Sequence, residues 1–281
     1  MKRTVEFETI AEAVADAAVD AAFNLPPDVL AGIERARGRE TSATAREILD
    51  ALIENARIAR ENRMPLCQDC GLAVFFVRLG SEVSIEGGGL ADAINEGVRR
   101  GYERGYLRKS TVRDPLRRVN TGDNTPAVIH CEPVNGDELT IGFMAKGGGC
   151  ENMSLVKMLT PAHGRNGVID LVTETVRQAG GNPCPPVIVG VGIGGTFELA
   201  AQIAKKSLLR SLDQHNPDPV LAALEDEMLA SINALGIGPQ GLGGDTTALA
   251  VHVETAPCHI ASLPVGINIE CHSHRTRMIE L

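Results

Sequence analysis

Cysteine is the residue type that offers most chemistry in this sequence. The chain has seven cysteines, an odd and widely dispersed set that differs from the dense, even framework of a secreted disulfide scaffold. In a reducing compartment they are thiols, each serving as a small buried hydrophobe or as a metal ligand. The seven are Cys67, Cys70, Cys131, Cys150, Cys184, Cys258 and Cys271.

Three of these cysteines stand in irregular segments at the predicted ends of strands, where ligands are most often found. Cys67 lies in a polar loop, Cys184 lies between two prolines, and Cys271 ends a predicted strand. Three thiolates that converge from distant loops suit a [4Fe–4S] cubane whose fourth iron lacks a protein ligand and can act as a Lewis acid. The weaker candidates are Cys131, Cys150 and Cys258.

A tetrahedral zinc site is a second interpretation of the same cysteines. Cys67 and Cys70 form a CxxC pair, which Cys271 could complete together with His272 or His274. Because the chain has only one CxxC pair, spacing alone leaves both the zinc and the iron–sulfur interpretation open.

Glycine-rich segments at 146–149, 190–196 and 236–244 are the second chemical feature. Glycine lets the backbone approach a ligand closely, and amides at the start of a helix favour anions such as carboxylates and phosphates. The middle segment superficially resembles a dinucleotide fingerprint. Because no strand ending in an acidic residue follows about 20 positions later, a nicotinamide-dependent oxidoreductase is a weaker alternative.

The elements that must position these loops change type along the chain. Apolar residues at spacings of three and four predict helices over 10–23, 41–58 and 90–107, with a buried strand over 73–79. From residue 125 onward, short β-branched runs alternate with helical stretches. The predicted strands are 127–130, 138–143, 187–191, 248–253 and 265–269, and the predicted helices are 152–159, 168–179, 197–212 and 219–235.

This order of elements predicts an α/β fold with a mixed sheet and packed helices. We expect a single domain over 1–281, with a helical N-terminal region of about residues 1–110 and an α/β region of about 111–281. The pattern leaves parallel and antiparallel pairing open.

Composition excludes several classes of function. The formal net charge of −9 provides no basic surface for a nucleic-acid backbone, and the absence of Trp disfavours stacking on bases. No apolar run approaches the roughly 18 residues of a membrane span, and the N-terminus does not resemble a signal peptide. We therefore expect a cytoplasmic protein with neither nucleic-acid nor membrane partners.

In these cysteine loops the sequence resembles the alpha part of the class I, iron–sulfur-dependent fumarate hydratases and the related L-tartrate dehydratases. The resemblance runs from about Glu8 to Arg275, and segments 65–69, 182–186 and 265–271 carry its most specific motifs. It implies a [4Fe–4S] cluster as cofactor. The ligands that it implies are Cys67, Cys184 and Cys271.

The same resemblance implies a set of residues that act on the substrate. Gln68 and Asp69 match substrate-binding neighbours of the first ligand, and Arg108 matches an arginine that binds a substrate carboxylate. Gly148 lies in a segment that resembles the family's loop whose backbone meets the substrate, and His259 matches the family's active-site histidine. Asp69 and His259 are the expected catalytic residues.

Two departures and one difference in length set this chain apart from that family. Cys70 and Cys258 stand where Thr and Arg are common. Single-chain members continue into a second domain that carries the proton-abstracting Thr and further cationic groups, whereas this sequence ends at Leu281. The resemblance therefore implies a separate beta subunit, in an α2β2 hetero-oligomer.

The implied reaction is reversible hydration of a small dicarboxylate, with fumarate to (S)-malate as the first expectation. L-tartrate dehydration and mesaconate hydration are alternatives within the class. A zinc-containing structural or regulatory subunit is the alternative from a different class.

Overall fold

A computed structural model describes residues 3–281 of the chain. The chain forms two compact units whose segments alternate along the sequence. The first unit comprises the residues up to Pro26, Ala56–Gly148 and Arg275–Leu281, and the second comprises Pro27–Asn55 and Gly149–His274. The single domain expected over 1–281 stays a prediction.

The α-helices of residues 3–281 are α1 (Phe7–Phe23), α2 (Pro27–Arg39), α3 (Ala43–Asn62), α4 (Leu90–Arg104), α5 (Gly148–Glu151), α6 (Gly164–Ala179), α7 (Phe197–Ser207) and α8 (Pro219–Asn233). The strands are β1 (Arg3–Glu6), β2 (Leu72–Gly80), β3 (Val83–Glu86), β4 (Val128–Val134), β5 (Leu139–Lys146), β6 (Leu155–Leu159), β7 (Val187–Gly194), β8 (Ala248–Ala256), β9 (Leu263–Glu270) and β10 (Thr276–Glu280).

A four-stranded mixed sheet forms the centre of the first unit, in the order β10-β5-β2-β4. β2 and β4 are parallel, whereas β5 is antiparallel to both β2 and β10. Phe75 of β2 and Phe143 of β5 are fully buried and face each other at 5.2 Å between ring centroids. Burying each ring stabilises the unit by about 1.5–3 kcal/mol, which fixes β2 and the cysteine loop before it.

The second unit contains another four-stranded sheet, in the order β6-β9-β7-β8. β7 and β8 are parallel, and β9 is antiparallel to β6 and β7. A Cβ atom at Gly190 or Gly192 would lie 2.1 or 2.2 Å from a carbonyl oxygen of α7, so these glycines let α7 pack directly on β7. Close packing therefore accounts for two glycines of the segment that resembled a dinucleotide fingerprint.

The α/β fold predicted from the sequence is confirmed, as are most of its elements. One prediction was wrong: residues 152–159 do not form a helix, because 155–159 add strand β6 to the edge of β9, while 148–151 form a single helical turn. The predicted helix over 197–212 ends at Ser207. Helix α2 and strand β10 were not predicted. No helix within residues 3–281 is long and apolar enough to cross a bilayer.

Candidate active site

The second unit brings two predicted cluster ligands to the same end of its sheet. Cys184 precedes the start of β7, and Cys271 follows the end of β9. Because these strands are antiparallel, both cysteines lie at the same end of the sheet. The Nδ1 atom of His272 lies 3.0 Å from the carbonyl oxygen of Cys184. This contact joins the two cysteine loops.

The backbone of Cys184 has an unusual conformation for a residue with a side chain. Its φ of 57° lies in the left-handed region, which costs free energy at a residue other than glycine and is often found at functional sites. The side chain is exposed. The Cys184 thiol is therefore accessible to a ligand, and its role as a cluster ligand stays a prediction.

The loop that contains Gln240 stabilises the same end of the sheet. Both the backbone N–H and the side-chain amide of Gln240 donate to the carbonyl oxygen of Pro185, at 2.8 and 2.9 Å. The Gln240 amide also lies 3.2 Å from Nδ1 of His272. Gln240 thus connects the Cys184 loop with the segment after Cys271, a role that its place in a glycine-rich segment did not reveal.

A buried group at this end of the sheet comprises Cys150, Glu270 and Cys271, whose ligand atoms lie within 4.8 Å of one another. The thiol of Cys150 also donates to the carbonyl oxygen of Pro183, at 3.5 Å. Two sulfur atoms and a carboxylate are donors that bind metal ions. Sequence reasoning placed Cys150 among the weaker candidates for a metal ligand, because only the tertiary fold places it beside Cys271.

Two of the predicted substrate-binding residues, Asp69 and Gly148, are in direct contact in the first unit. The Asp69 carboxylate accepts hydrogen bonds from the backbone N–H groups of Gly148 at 2.8 Å and Gly71 at 2.9 Å, and from the Ser110 hydroxyl at 3.3 Å. Arg275 donates to the Asp69 backbone carbonyl.

The electrostatics of this arrangement keep Asp69 ionised. Burial alone would raise the pKa of Asp69, but the amides of Gly148 and Gly71, the charge of Arg275 and the Ser110 hydroxyl outweigh burial and lower the pKa below its ordinary value. At neutral pH Asp69 is therefore a fixed hydrogen-bond acceptor.

The backbone of Arg108 is held in place, while the charge of its side chain is available to bind a ligand. Its N–H donates to the Cys70 sulfur at 3.2 Å, while its exposed guanidinium has no hydrogen bond or ion pair within residues 3–281. An exposed arginine in a fixed segment suits recognition of a carboxylate.

Asn124 fixes the segment after Arg108. Its side-chain oxygen accepts the N–H groups of Ser110 at 2.7 Å and Thr111 at 3.1 Å, and its amide donates to the Gly71 carbonyl at 3.2 Å. Asn124 is fully buried and has a φ of 63°, a left-handed conformation that asparagine tolerates better than most residues. Sequence reasoning did not identify this role.

Cys70 has a structural place in the same unit. Its buried sulfur accepts the Arg108 amide, and burial raises the pKa of its thiol above the ordinary value. Within the first unit Cys70 is therefore a packed thiol that holds the Arg108 backbone.

Cys67 and Gln68 lie in the loop that leads into β2. Cys67 is partly exposed and its sulfur lies 3.2 Å from the Gln68 side-chain oxygen. Gln68 is exposed. Both therefore remain accessible to a ligand.

His259 lies at the opposite end of the second unit's sheet from Cys271. It is exposed in the turn between β8 and β9, where its ring nitrogen accepts the Ala261 N–H at 3.1 Å. From Leu263 to Glu270, β9 advances through seven steps of about 3.3 Å, or roughly 23 Å. A side chain at His259 cannot span that distance to Cys271 of the same chain.

Comparison with known proteins identifies the family. A family model described as "Fumarate hydratase (Fumerase)" matches residues 11–280. A provisionally named L(+)-tartrate dehydratase subunit alpha of Methanocaldococcus jannaschii is 44% identical over 272 residues, which cover 95% of each chain. The L(+)-tartrate dehydratase subunit alpha of Escherichia coli strain UTI89 is 34% identical over 270 residues, which cover 95% of this chain and 88% of the relative.

These matches extend over both units and include every loop in which a site residue was predicted. The resemblance seen in the cysteine motifs is thereby confirmed. The chain belongs to the fumarate hydratase (Fumerase) family and is a hydro-lyase.

Proposed function

We propose that this chain is the alpha subunit of a [4Fe–4S]-dependent enzyme that reversibly removes water from a small 2-hydroxy dicarboxylate. One observation carries the proposal: Cys184 and Cys271, in the two loops that resemble cluster-ligand loops, lie at the same end of one sheet and are joined through His272. Cys67 is the third expected ligand. The donor set of three thiols fits such a cluster.

The chemistry requires loss of a weakly acidic C–H proton and departure of hydroxide, a poor leaving group. A cluster bound by Cys67, Cys184 and Cys271 would supply a Lewis-acidic iron that makes hydroxide a tolerable leaving group. The remaining tasks are to bind two carboxylates, orient the hydroxyl and transfer a proton, and these fall to protein side chains.

The first unit has the groups for binding and orientation. The exposed guanidinium of Arg108 would bind one substrate carboxylate, with Gln68 and the loop of Gly148 completing its contacts. Asp69, ionised and held by two backbone amides, would accept a hydrogen bond from the substrate hydroxyl. His259 would donate or accept a proton.

The position of His259 supports an assembly with more than one copy of this chain. Since His259 and Cys271 lie at opposite ends of one sheet, a site that uses both must take His259 from a second copy. Ile260, next to it, is 92% exposed, and Phe197 at the same end of the sheet is 61% exposed, as expected of side chains that another subunit covers. An α2β2 assembly satisfies this requirement.

The names of the relatives support a partner subunit and suggest a substrate. Both are named as alpha subunits of L(+)-tartrate dehydratase, so we infer that a beta subunit supplies the remaining base and carboxylate-binding groups. Because of these names, we propose L(+)-tartrate as the first candidate substrate, in place of fumarate, which was the first expectation from the sequence. The reaction of (S)-malate and fumarate is the second candidate, which the description of the family model favours. A cytoplasmic location stays a prediction.

Steady-state kinetics of the alpha–beta complex, co-expressed and purified without oxygen, test the proposal. We expect kcat/KM to be highest for L(+)-tartrate among L(+)-tartrate, (S)-malate, fumarate and mesaconate. A higher value for fumarate or malate would select the second candidate. A complex with full iron and sulfide content that acts on none of the four would contradict the proposal.

A further inference from the structure

We propose that Cys150, Glu270 and Cys271 form a binding site for a single Zn²⁺ ion, distinct from the expected cluster ligand set but sharing Cys271 with it. The three side chains come from two parts of the second unit: Cys150 from the single turn α5, and the consecutive residues Glu270 and Cys271 from the end of β9. The proposal goes beyond the proposed function and does not require it.

The geometry of the three ligand atoms is close to that of a tetrahedral zinc site. With Zn–S bonds of about 2.3 Å and Zn–O bonds of about 2.1 Å, neighbouring sulfur and oxygen ligands lie roughly 3.6 Å apart and two sulfurs roughly 3.8 Å apart. The Cys271 sulfur lies 3.7 Å from Oε1 of Glu270. All three ligand atoms lie within 4.8 Å of one another, so shortening the separations to Cys150 by at most about 1.2 Å completes the geometry.

Burial and donor chemistry favour a tightly bound soft cation. The exposed fractions of Cys150, Glu270 and Cys271 are 4, 0 and 7%. A carboxylate and two thiols at such depth suit a divalent ion, which compensates the charge of the ligands. Zn²⁺ binds sulfur and carboxylate donors more tightly than Fe²⁺ does, and the three protein ligands leave one tetrahedral position open. As the Zn–S bonds form, the two thiol protons pass to the buffer.

Sharing of Cys271 has a functional consequence. We expect a cluster on Cys67, Cys184 and Cys271 and a zinc ion on Cys150, Glu270 and Cys271 to exclude each other, because each would use the Cys271 sulfur as a terminal ligand. Bound zinc would therefore exclude the cluster. The ordinary alternative is that the two cysteines are buried hydrophobes whose thiols donate to Glu270 and to a carbonyl.

Zinc titration of the full-length, metal-free chain distinguishes these explanations. We expect one equivalent of Zn²⁺ to bind, and Co²⁺ used as a probe to show a thiolate charge-transfer band with the intensity of two sulfurs. Since loss of an outer-shell partner typically costs 10–100-fold in metal affinity, Cys150→Ser is expected to weaken zinc binding at least about 100-fold. Glu270→Gln is a second test of the same site, and the circular dichroism of each variant reports its folding.

The matched control is Cys184→Ser, which removes an expected cluster ligand but no zinc ligand. It should bind zinc like the unmodified chain yet fail to assemble a cluster, whereas Cys150→Ser should assemble a cluster. Zinc binding that survives Cys150→Ser, or that is lost with Cys184→Ser, would overturn the zinc site. If the variants bind zinc as expected but do not assemble clusters as expected, the result would contradict the proposed function and not the zinc site. Retention of zinc during cluster assembly would refute mutual exclusion.

Discussion

The carboxylate of Asp69 accepts a hydrogen bond from the backbone N–H of Gly148 at 2.8 Å, although the two residues lie 79 positions apart. The bond joins the polar loop before β2 to the glycine-rich loop after β5. It also engages the Gly148 amide, so direct binding of substrate to that N–H, which stays a prediction, requires Asp69 to share or release it. Asp69 therefore holds these two loops of the first unit together.

Asp69→Asn should reduce kcat/KM by at least about 100-fold, because the Gly71 and Gly148 N–H groups bond different carboxylate oxygens, asparagine keeps only one oxygen, and a misplacement of about 1 Å has that effect. Kinetics of the alpha–beta complex measure it. Asp114→Asn is the control, since Asp114 also accepts two backbone N–H groups, both on Oδ1, but lies just before a surface turn and outside the predicted site residues. A normal kcat/KM for Asp69→Asn would remove this residue from the site.

The cysteines provide a second prediction, on cofactor assembly. Cys67→Ser, Cys184→Ser and Cys271→Ser should each abolish assembly of the cluster, because serine does not replace a thiolate ligand of iron. Cys131→Ser, in an exposed position of β4, should retain it. Iron and sulfide analysis of each variant purified without oxygen is the measurement. A variant among the first three that retains its full cluster removes that ligand from the set.

His252 makes the stability of the second unit dependent on pH. It is 2% exposed, and its Nδ1 accepts a hydrogen bond from Nε of Arg210 at 3.2 Å. Burial, followed by the charges of Arg210 and His274, lowers the pKa of His252 to about 3, although Asp28 opposes this shift. The native imidazole therefore stays neutral in mild acid.

Below about pH 6.5 the unfolded chain protonates His252 whereas the native chain does not, so the unfolded state binds more protons. The free energy of unfolding should fall by about 1.4 kcal/mol per pH unit as pH drops from 6.5 toward 3. His252→Gln, whose amide oxygen can still accept from Arg210, should lose this component, while His215→Gln at an exposed position should not. Denaturant unfolding at several pH values tests it, and an equal slope in the His252 variant would contradict the assignment.

Sequence reasoning selected the expected ligand loops, whose role stays a prediction, but not the residues that hold these loops in place. Cysteine and proline patterns are local, so Cys67, Cys184 and Cys271 could be selected from the order of residues alone. The contacts of Asn124 and Gln240 join segments that only the tertiary fold brings together, and both residues have left-handed backbone conformations that no local pattern predicts. The segment 155–159 was assigned to a helix for a similar reason: its strand conformation depends on pairing with β9.

The opposite placement of His259 and Cys271 leads to a prediction about the assembly. If each site combines Cys271 of one copy with His259 of another, Cys271→Ser and His259→Asn should each inactivate the enzyme alone. Two differently tagged variants, co-expressed with the beta subunit, can be purified as mixed assemblies that contain one copy of each.

In such a mixed assembly, one site receives Cys271 from the His259→Asn chain and His259 from the Cys271→Ser chain, and is therefore intact. The other site lacks both. About half of the unmodified activity per assembly is expected, with half of its cluster content. If His259 instead acted on its own chain, both sites would carry one defect and the mixed assembly would be inactive. Full activity of His259→Asn alone would exclude any catalytic role for this histidine, in either copy.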